Sequence, residues 1–123
     1  MKVCKFGGSS LADAAQLNKV IDIVLADPAR RIVVVSAPGK RNSKDTKVTD
    51  LLIALANTAL KSAECGVRSA ECEAALKAVV DRYAEIATTL KLGDEIVRKI
   101  EDDLKFRLSQ VSRLESSEFT DFH

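Results

Sequence analysis

The chain has 123 residues, of which 46% are hydrophobic, so it is long enough for one domain with a modest core and too short for two domains of ordinary size. Its 19 lysines and arginines nearly balance its 18 aspartates and glutamates, and a net charge of +1 is too small to attract nucleic acid or an anionic membrane through charge alone. Three cysteines without metal-ligand spacing and the lack of a long apolar run argue against a disulfide framework, a zinc site, a signal peptide or a membrane span, and favour a reducing cytoplasm.

The chain begins with a predicted strand followed by a predicted helix. Residues 2–6 form a short strand-like run that ends in a sharp turn at Gly7 and Gly8. Apolar residues at helical spacing follow over roughly 11–26. Because the residue before Pro28 is disfavoured in a helix, we expect the helix to end there.

A second strand and a second helix repeat this order. The continuous β-branched run 32–35 is typical of a parallel strand covered on both faces, and the loop after it contains Gly39. After the polar, basic segment 40–48, Thr49 and Asp50 can cap a further helix. The β-α-β-α order predicts a parallel α/β sheet with right-handed crossovers.

The second half of the chain does not continue this alternation. Apolar positions keep helical spacing over 69–90 and again after Gly93, which predicts two long helices within 67–115. Two strands alone do not make a stable parallel sheet, because such sheets need several strands and cover on both faces. We therefore expect an incomplete domain, and we expect the closing segment 119–123 to begin a further strand.

Residues 5–10, with the sequence Lys-Phe-Gly-Gly-Ser-Ser, form the first candidate site, where the first strand meets the first helix. The two glycines allow backbone N–H groups to approach a phosphate, and the start of the helix would add partial positive charge. Lys5 could reach oxygens that gain charge during phosphoryl transfer. The alternative is a turn that only needs small residues, with Ser9 or Ser10 as the helix N-cap. The spacing matches neither the P-loop nor the dinucleotide-binding pattern.

The loop after the second strand and the start of the second helix form the second candidate site. Loops that leave adjacent parallel strands at the same edge of an open sheet are where ligands bind. Ser36 and Thr49 would supply hydroxyls to a small polar substrate, and a helix start at Thr49 would favour a carboxylate. The alternatives are that Thr49 only caps its own helix and that the basic segment 40–47 is a solvated loop.

Three motifs together resemble the opening of aspartate kinases in the amino-acid kinase family. They are residues 5–10 after the first strand, residues 33–37 at the end of the second strand, and residues 47–52 at the second helix. Their order, spacing and starting position all agree with the family. The resemblance is strong over residues 2–60 and looser over the helical remainder.

The resemblance implies both a fold and an organisation of the chain. Residues 1–123 would be the N-terminal portion of an amino-acid kinase domain, which is an α/β fold with a parallel sheet sandwiched by helices, followed here by a long helical hairpin. Residues 1–60 would carry a nucleotide and substrate half-site, and residues 67–115 would form the helical segment. The domain would be incomplete.

The resemblance also implies an activity. The family transfers the γ-phosphoryl group of ATP, with Mg²⁺, to the side-chain carboxylate of L-aspartate, the first step towards lysine, threonine and methionine. Lys5 would be catalytic by stabilising the transferring group, Ser36 and Thr49 would contact aspartate, and no residue is assigned to a metal. We expect the isolated chain to be inactive, because the family's Gly-Glu motif and adenine pocket are absent. The implied ATP-binding residues are Lys5, Phe6, Gly7, Gly8, Ser9 and Ser10.

Two alternatives stay open, namely another amino-acid or carbamate kinase of the same fold and a non-catalytic interaction module in which the glycines are structural. No nucleic-acid or membrane partner is expected. We expect the chain to self-associate through the unpaired strands at 2–6 or 32–36, because incomplete sheets leave edges and apolar surface uncovered. The complete enzyme of this family would be a homo-oligomer. A second apolar surface expected to be uncovered comprises Leu76, Val80, Tyr83, Ile100, Leu104 and Leu108.

Overall fold

The computed structural model describes residues 1–65 and 69–117. Within them, each of two strands is followed by helices, in the order predicted from the sequence. The closing residues 118–123, for which we predicted the start of a strand, lie outside the described residues. The predicted β-α-β-α beginning and the two long helices after it are confirmed. The elements are β1 (Lys2–Phe6), a 3-10 helix (Gly8–Leu11), α1 (Ala14–Ala26), β2 (Arg30–Val35), α2 (Val48–Cys65), α3 (Ala70–Thr89) and α4 (Glu95–Ser117).

The two strands pair in parallel, with Phe6 opposite Val35 at the end that leads into the candidate site. The four β-branched side chains of β2 at 32–35 are 42–58% exposed. A strand of this composition is normally covered on both faces, and the described residues do not provide that cover. The sheet is therefore incomplete within residues 1–65 and 69–117, as the sequence predicts.

Helix α1 crosses from β1 to β2 and begins later than predicted. Asp13 is its N-cap, and the Oδ1 atom of Asp13 accepts a hydrogen bond from the backbone N–H of Gln16 at 2.9 Å. The alternative that Ser9 or Ser10 caps this helix is wrong, because both lie in the preceding 3-10 helix. The helix ends at Ala26, as the following proline predicts.

The main hydrophobic core lies between α2, α3 and α4. Partly buried apolar residues from all three helices pack around a buried cluster formed by Leu55, Ala59, Cys72, Leu76 and Val79. Leu76 is inside this core, and Val80, Tyr83, Leu104 and Leu108 pack against it. The expectation that this surface is uncovered is therefore wrong for Leu76, which α2 covers, whereas Tyr83, Ile100 and Leu104 line a groove between the helices that stays open.

A tight turn joins α3 to α4. Lys91 and Gly93 adopt positive φ angles of 58° and 80°, and the left-handed conformation favours glycine at position 93. The predicted break at Gly93 is confirmed, and it produces the predicted helical hairpin. Within residues 1–65 and 69–117, every helix is too short or too polar to cross a membrane.

Candidate functional site

The glycine turn after β1 is in direct backbone contact with the loop after β2. The backbone N–H of Gly39 donates to the carbonyl oxygen of Gly8 at 2.8 Å. A β-carbon on Gly39 would lie 2.7 Å from the carbonyl carbon of Gly8, and one on Gly8 would lie 3.0 Å from the carbonyl oxygen of Ala37. Two backbones can come this close only if side chains are absent. The structure thus brings the two candidate sites together at one edge of the sheet.

Gly7 stands in open space beside this contact. Its backbone is extended, with φ of −76° and ψ of 172°, and a β-carbon there would have no neighbour within 4 Å. No described residue therefore requires glycine at this position. The backbone N–H groups of Gly8 and Ser9 also have no hydrogen-bond acceptor among residues 1–65 and 69–117. The turn consequently offers backbone donors and room for a ligand to approach.

The partial positive charge of α1 does not lie at the glycine turn. Helix α1 starts only at Ala14, and the Asp13 carboxylate caps its N-terminus. The 3-10 helix Gly8–Leu11 lies between Gly7 and α1. The expectation that the start of this helix attracts a phosphate at the turn is wrong, because the effect of a helix dipole is confined to its first turn. An anion at the turn would be held by backbone N–H groups and by Lys5, whose side chain is exposed at the end of β1.

Ser36 extends the pairing of the two strands by one residue. Its backbone N–H donates to the carbonyl oxygen of Phe6 at 3.2 Å, and the residue is exposed. Two residues later, the carbonyl oxygen of Pro38 accepts a hydrogen bond from the N–H of Val48 at 2.9 Å. The segment 40–47 therefore leaves and returns at nearly the same point. This closure brings the start of α2 next to the loop that carries Ser36.

Thr49 lies inside the first turn of α2 and is exposed. The carbonyl oxygen of Lys47 accepts hydrogen bonds from the N–H groups of Asp50 at 3.0 Å and Leu51 at 3.2 Å, so Lys47 occupies the N-cap position. The prediction that Thr49 and Asp50 cap this helix is therefore wrong by two to three residues. The Thr49 hydroxyl is not used as a cap.

A buried arginine on α3 joins the segments that form the site. Arg82 has a side chain only 6% exposed, and its Nη2 atom donates to the carbonyl oxygens of Gly39 at 2.8 Å and Ala12 at 3.1 Å. Its Nη1 atom donates to the carbonyl oxygen of Thr46 at 2.8 Å. One guanidinium thus contacts the chain after the glycine turn, the loop after β2 and the approach to α2.

Arg82 is not among the site residues predicted from the sequence, although the sequence contains a signal for it. Val79, Arg82 and Ile86 follow helical spacing, and both apolar neighbours are buried. A single charge on an apolar stripe is either exposed at its margin or paired inside the protein. Burial of this arginine required acceptors from other segments, and helical spacing alone does not show which segments provide them.

Arg41 and Asp45 hold the basic segment 40–47 against α3. The Asp45 carboxylate accepts hydrogen bonds from the backbone N–H of Arg41 at 2.9 Å, from its Nε at 2.7 Å and from its Nη2 at 3.0 Å, and the Nη1 of Arg41 pairs with Glu85. The Nη1 of Arg82 is 3.4 Å from the same carboxylate. These contacts, chiefly those of Arg41, hold the pKa of Asp45 well below its usual range. Arg41 is therefore engaged within the chain.

The described residues do not form a metal-binding cage. Among residues 1–65 and 69–117, no group of three or more histidine, cysteine, aspartate or glutamate side chains could hold a metal ion.

Comparison with known proteins places this geometry in a family. The chain matches the amino acid kinase family over residues 1–112. It is 57% identical over 104 residues to aspartokinase 3 of Bacillus subtilis, an alignment that covers 85% of this chain and 21% of that protein. The chain therefore spans about a fifth of the length of this relative.

Solved structures show the same similarity. The aspartate kinase of Clostridium acetobutylicum superposes with a TM-score of 0.68 and 35% identity, over 90% of this chain and 23% of that chain. Escherichia coli aspartokinase III in complex with aspartate and ADP superposes with a TM-score of 0.62 and 26% identity, over 89% of this chain and 22% of that chain.

Proposed function

Because this chain belongs to the amino acid kinase family, we propose that it supplies a nucleotide and aspartate half-site to an enzyme that transfers a phosphoryl group from ATP to the side-chain carboxylate of aspartate. The observation that carries this proposal is the backbone contact between Gly8 and Gly39, which joins the two candidate sites. Similarity to aspartate kinases favours aspartate over the substrates of other family members. The product would enter lysine, threonine and methionine synthesis.

The turn after β1 is the proposed phosphate-binding side. Open space at Gly7 and the free N–H groups of Gly8 and Ser9 suit phosphate oxygens, which accept several backbone hydrogen bonds at once. Phe6 and Ser10 take supporting roles. The carbonyl of Phe6 accepts from Ser36, and the N–H of Ser10 donates to Gly7 at 3.1 Å.

Lys5 is the proposed catalytic group at this side. It is exposed in β1, one residue before the strand ends and two residues before Gly7. A lysine ammonium there would stabilise charge on the phosphoryl group during transfer, and Mg²⁺ bound to the nucleotide would neutralise further phosphate charge. Such a lysine acts mainly in the transition state, so its loss should affect turnover more than nucleotide affinity in a complete enzyme.

Ser36 and Thr49 form the proposed aspartate-binding side. Both are exposed, and Thr49 is not needed as a helix cap. Each hydroxyl can donate one hydrogen bond to a carboxylate or accept one from an ammonium group. Phosphoryl transfer needs further charged groups that position and neutralise both substrates. We therefore propose that the 123-residue chain alone binds ligand weakly and does not turn over.

Titration of the isotope-labelled chain with ATP and Mg²⁺ tests the proposal. We expect amide signals of residues 6–10 to shift, and we expect Lys5→Ala to weaken this response. Lys40→Ala removes the same charge from the exposed basic segment and serves as the matched control, so it should leave the response unchanged. Shifts confined to residues 40–47 would mean nonspecific attraction by that segment and would contradict a phosphate site at the glycine turn.

A further inference from the structure

We propose that Arg82 is a positioning residue whose guanidinium locks the two halves of the site into one arrangement. The expected effect of Arg82 on ligand binding rests on the proposed function, whereas its contacts with the chain do not depend on which ligand binds. The three carbonyl oxygens that it contacts come from Ala12, Gly39 and Thr46, which lie 70, 43 and 36 residues away in the chain. Ala12 follows the 3-10 helix, Gly39 lies in the loop after β2, and Thr46 precedes α2.

Gly39 links Arg82 to the phosphate side. The carbonyl oxygen of Gly39 accepts from Arg82 at 2.8 Å, while the N–H of the same residue donates to Gly8 at 2.8 Å. The absence of space around Gly39 means that it cannot shift without displacing Gly8. The contact with Ala12 holds the other end of the 3-10 helix that begins at Gly8. The glycine turn is therefore fixed from both ends by one side chain.

Thr46 links Arg82 to the aspartate side. Its carbonyl oxygen accepts from the Nη1 atom of Arg82, two residues before α2 begins at Val48. The N–H of Val48 in turn donates to Pro38, at the base of the loop that carries Ser36. Thr49 is the next residue. Arg82 therefore sets the distance between the start of α2 and the loop after β2.

The chemistry of arginine explains why this residue occupies an apolar stripe. A buried cation is costly, and an apolar side chain would continue the stripe between Val79 and Ile86 without that cost. A planar guanidinium can instead donate to several carbonyls in fixed directions, which a lysine ammonium on a flexible stem does not reproduce. The residue couples three segments, and removing it leaves buried carbonyls without donors.

Hydrogen exchange of single amides tests this coupling. In Arg82→Lys, we expect the amides of Gly39 and Val48 to exchange about tenfold faster, since hydrogen bonds to charged groups are the stronger ones. The amide of Val79, in the three-helix core, should keep its rate. Arg107→Lys is the matched control, because Arg107 pairs with Asp103 on α4 and contacts none of the three carbonyls, and it should leave both amides unchanged. Equal effects of the two variants would overturn the proposal.

The unmodified chain provides a second measurement if Arg82→Lys does not fold. A positioning role requires the amides of Gly39 and Val48 to open only together with α3, so their protection should match that of the amides around Arg82. Faster, independent exchange of the two loop amides would overturn the proposal.

ATP titration separates this inference from the proposed function. If the unmodified chain binds ATP, Arg82→Lys should weaken that binding about tenfold at a temperature where both chains are fully folded, and unchanged affinity would overturn the positioning role. If the unmodified chain shows no response to ATP, the proposed function fails, and hydrogen exchange alone then decides whether Arg82 holds the segments together.

Discussion

Gly7 and Gly39 differ in the space around them, so a side chain would be tolerated at one position and not at the other. A β-carbon at Gly39 would lie within 3 Å of three backbone atoms of Gly8 and Ser9, whereas one at Gly7 would meet nothing within 4 Å. Both backbone angles of Gly7 are open to any residue. Packing therefore explains glycine at position 39, whereas the described residues give no packing reason for glycine at position 7.

Substitution by alanine separates these two roles. Gly39→Ala should lower the free energy of unfolding by about 1–3 kcal/mol, because backbone atoms must move to admit the β-carbon. Gly7→Ala should leave it unchanged or raise it by up to about 1 kcal/mol, because the unfolded chain loses freedom. The same variant should weaken ATP binding. Urea unfolding measures the first effect and the amide titration the second, and equal destabilisation by both variants would contradict this assignment.

At the scale of elements, one carboxylate fastens the basic segment 40–47 to α3. The side chain of Asp45 is 12% exposed and accepts three hydrogen bonds from Arg41. Its pKa is lowered in the folded chain, whereas the pKa of an unfolded aspartate is about 3.9. Its contribution to stability is therefore complete above the unfolded pKa and is lost as pH falls from there through the folded pKa.

A pH series of urea unfolding tests this contribution. Asp45→Asn should be less stable than the unmodified chain at pH 7, and the difference should shrink as pH falls below about 4, where the unfolded carboxylate becomes protonated. Asp102→Asn, which changes an exposed aspartate on α4, is the matched control and should follow the unmodified chain. A difference between Asp45→Asn and the unmodified chain that stays constant from pH 7 to pH 2 would rule out this linkage.

The sequence predicts the strands and helices better than it predicts which of them pack against each other. Apolar spacing identifies both strands and all four helices, because it reports which face of an element is buried. It does not report what covers that face, so the packing of α2 over Leu76 was missed. The start of α1 was misplaced because a short 3-10 helix and the Asp13 cap intervene, and boundaries depend on such local hydrogen bonds.

The position of the candidate site could be predicted from the sequence, but the contacts that hold its segments together could not. Parallel strands place their following loops at one edge, so the proximity of the glycine turn to the loop with Ser36 follows from topology. The contact of Gly8 with Gly39 depends on distances in the folded chain, which the spacing of residues along the sequence does not give. Arg82 lies more than 30 residues from the segments it binds. Its role follows only from tertiary structure, because long-range acceptors are set by packing.

At the scale of the whole molecule, the described residues form a core between the helices and leave the sheet open. The three-helix core buries its apolar residues within the chain. The sheet does not, since β2 is exposed and Ile21, Ile23 and Leu25 on α1 are 44%, 45% and 75% exposed. The chain spans about a fifth of the length of the relatives described above. Exposed apolar residues also occur on the helical hairpin, where Leu92, Ile96 and Phe106 are 57%, 45% and 64% exposed.

Self-association through the open sheet is therefore the outcome we expect for the isolated chain. An unpaired strand with apolar side chains favours pairing with another copy, so the mass measured by light scattering should rise with concentration in the micromolar range. Val33→Lys places a charge on β2 and should reduce this rise, since charged residues block strand pairing. Ile53→Lys is the matched control, because Ile53 is 53% exposed on α2, away from the sheet, and should leave association unchanged. A concentration-independent monomer with a cooperative melt would show that 123 residues suffice to close the fold, and equal effects of the two lysines would move the contact from the sheet to the helices.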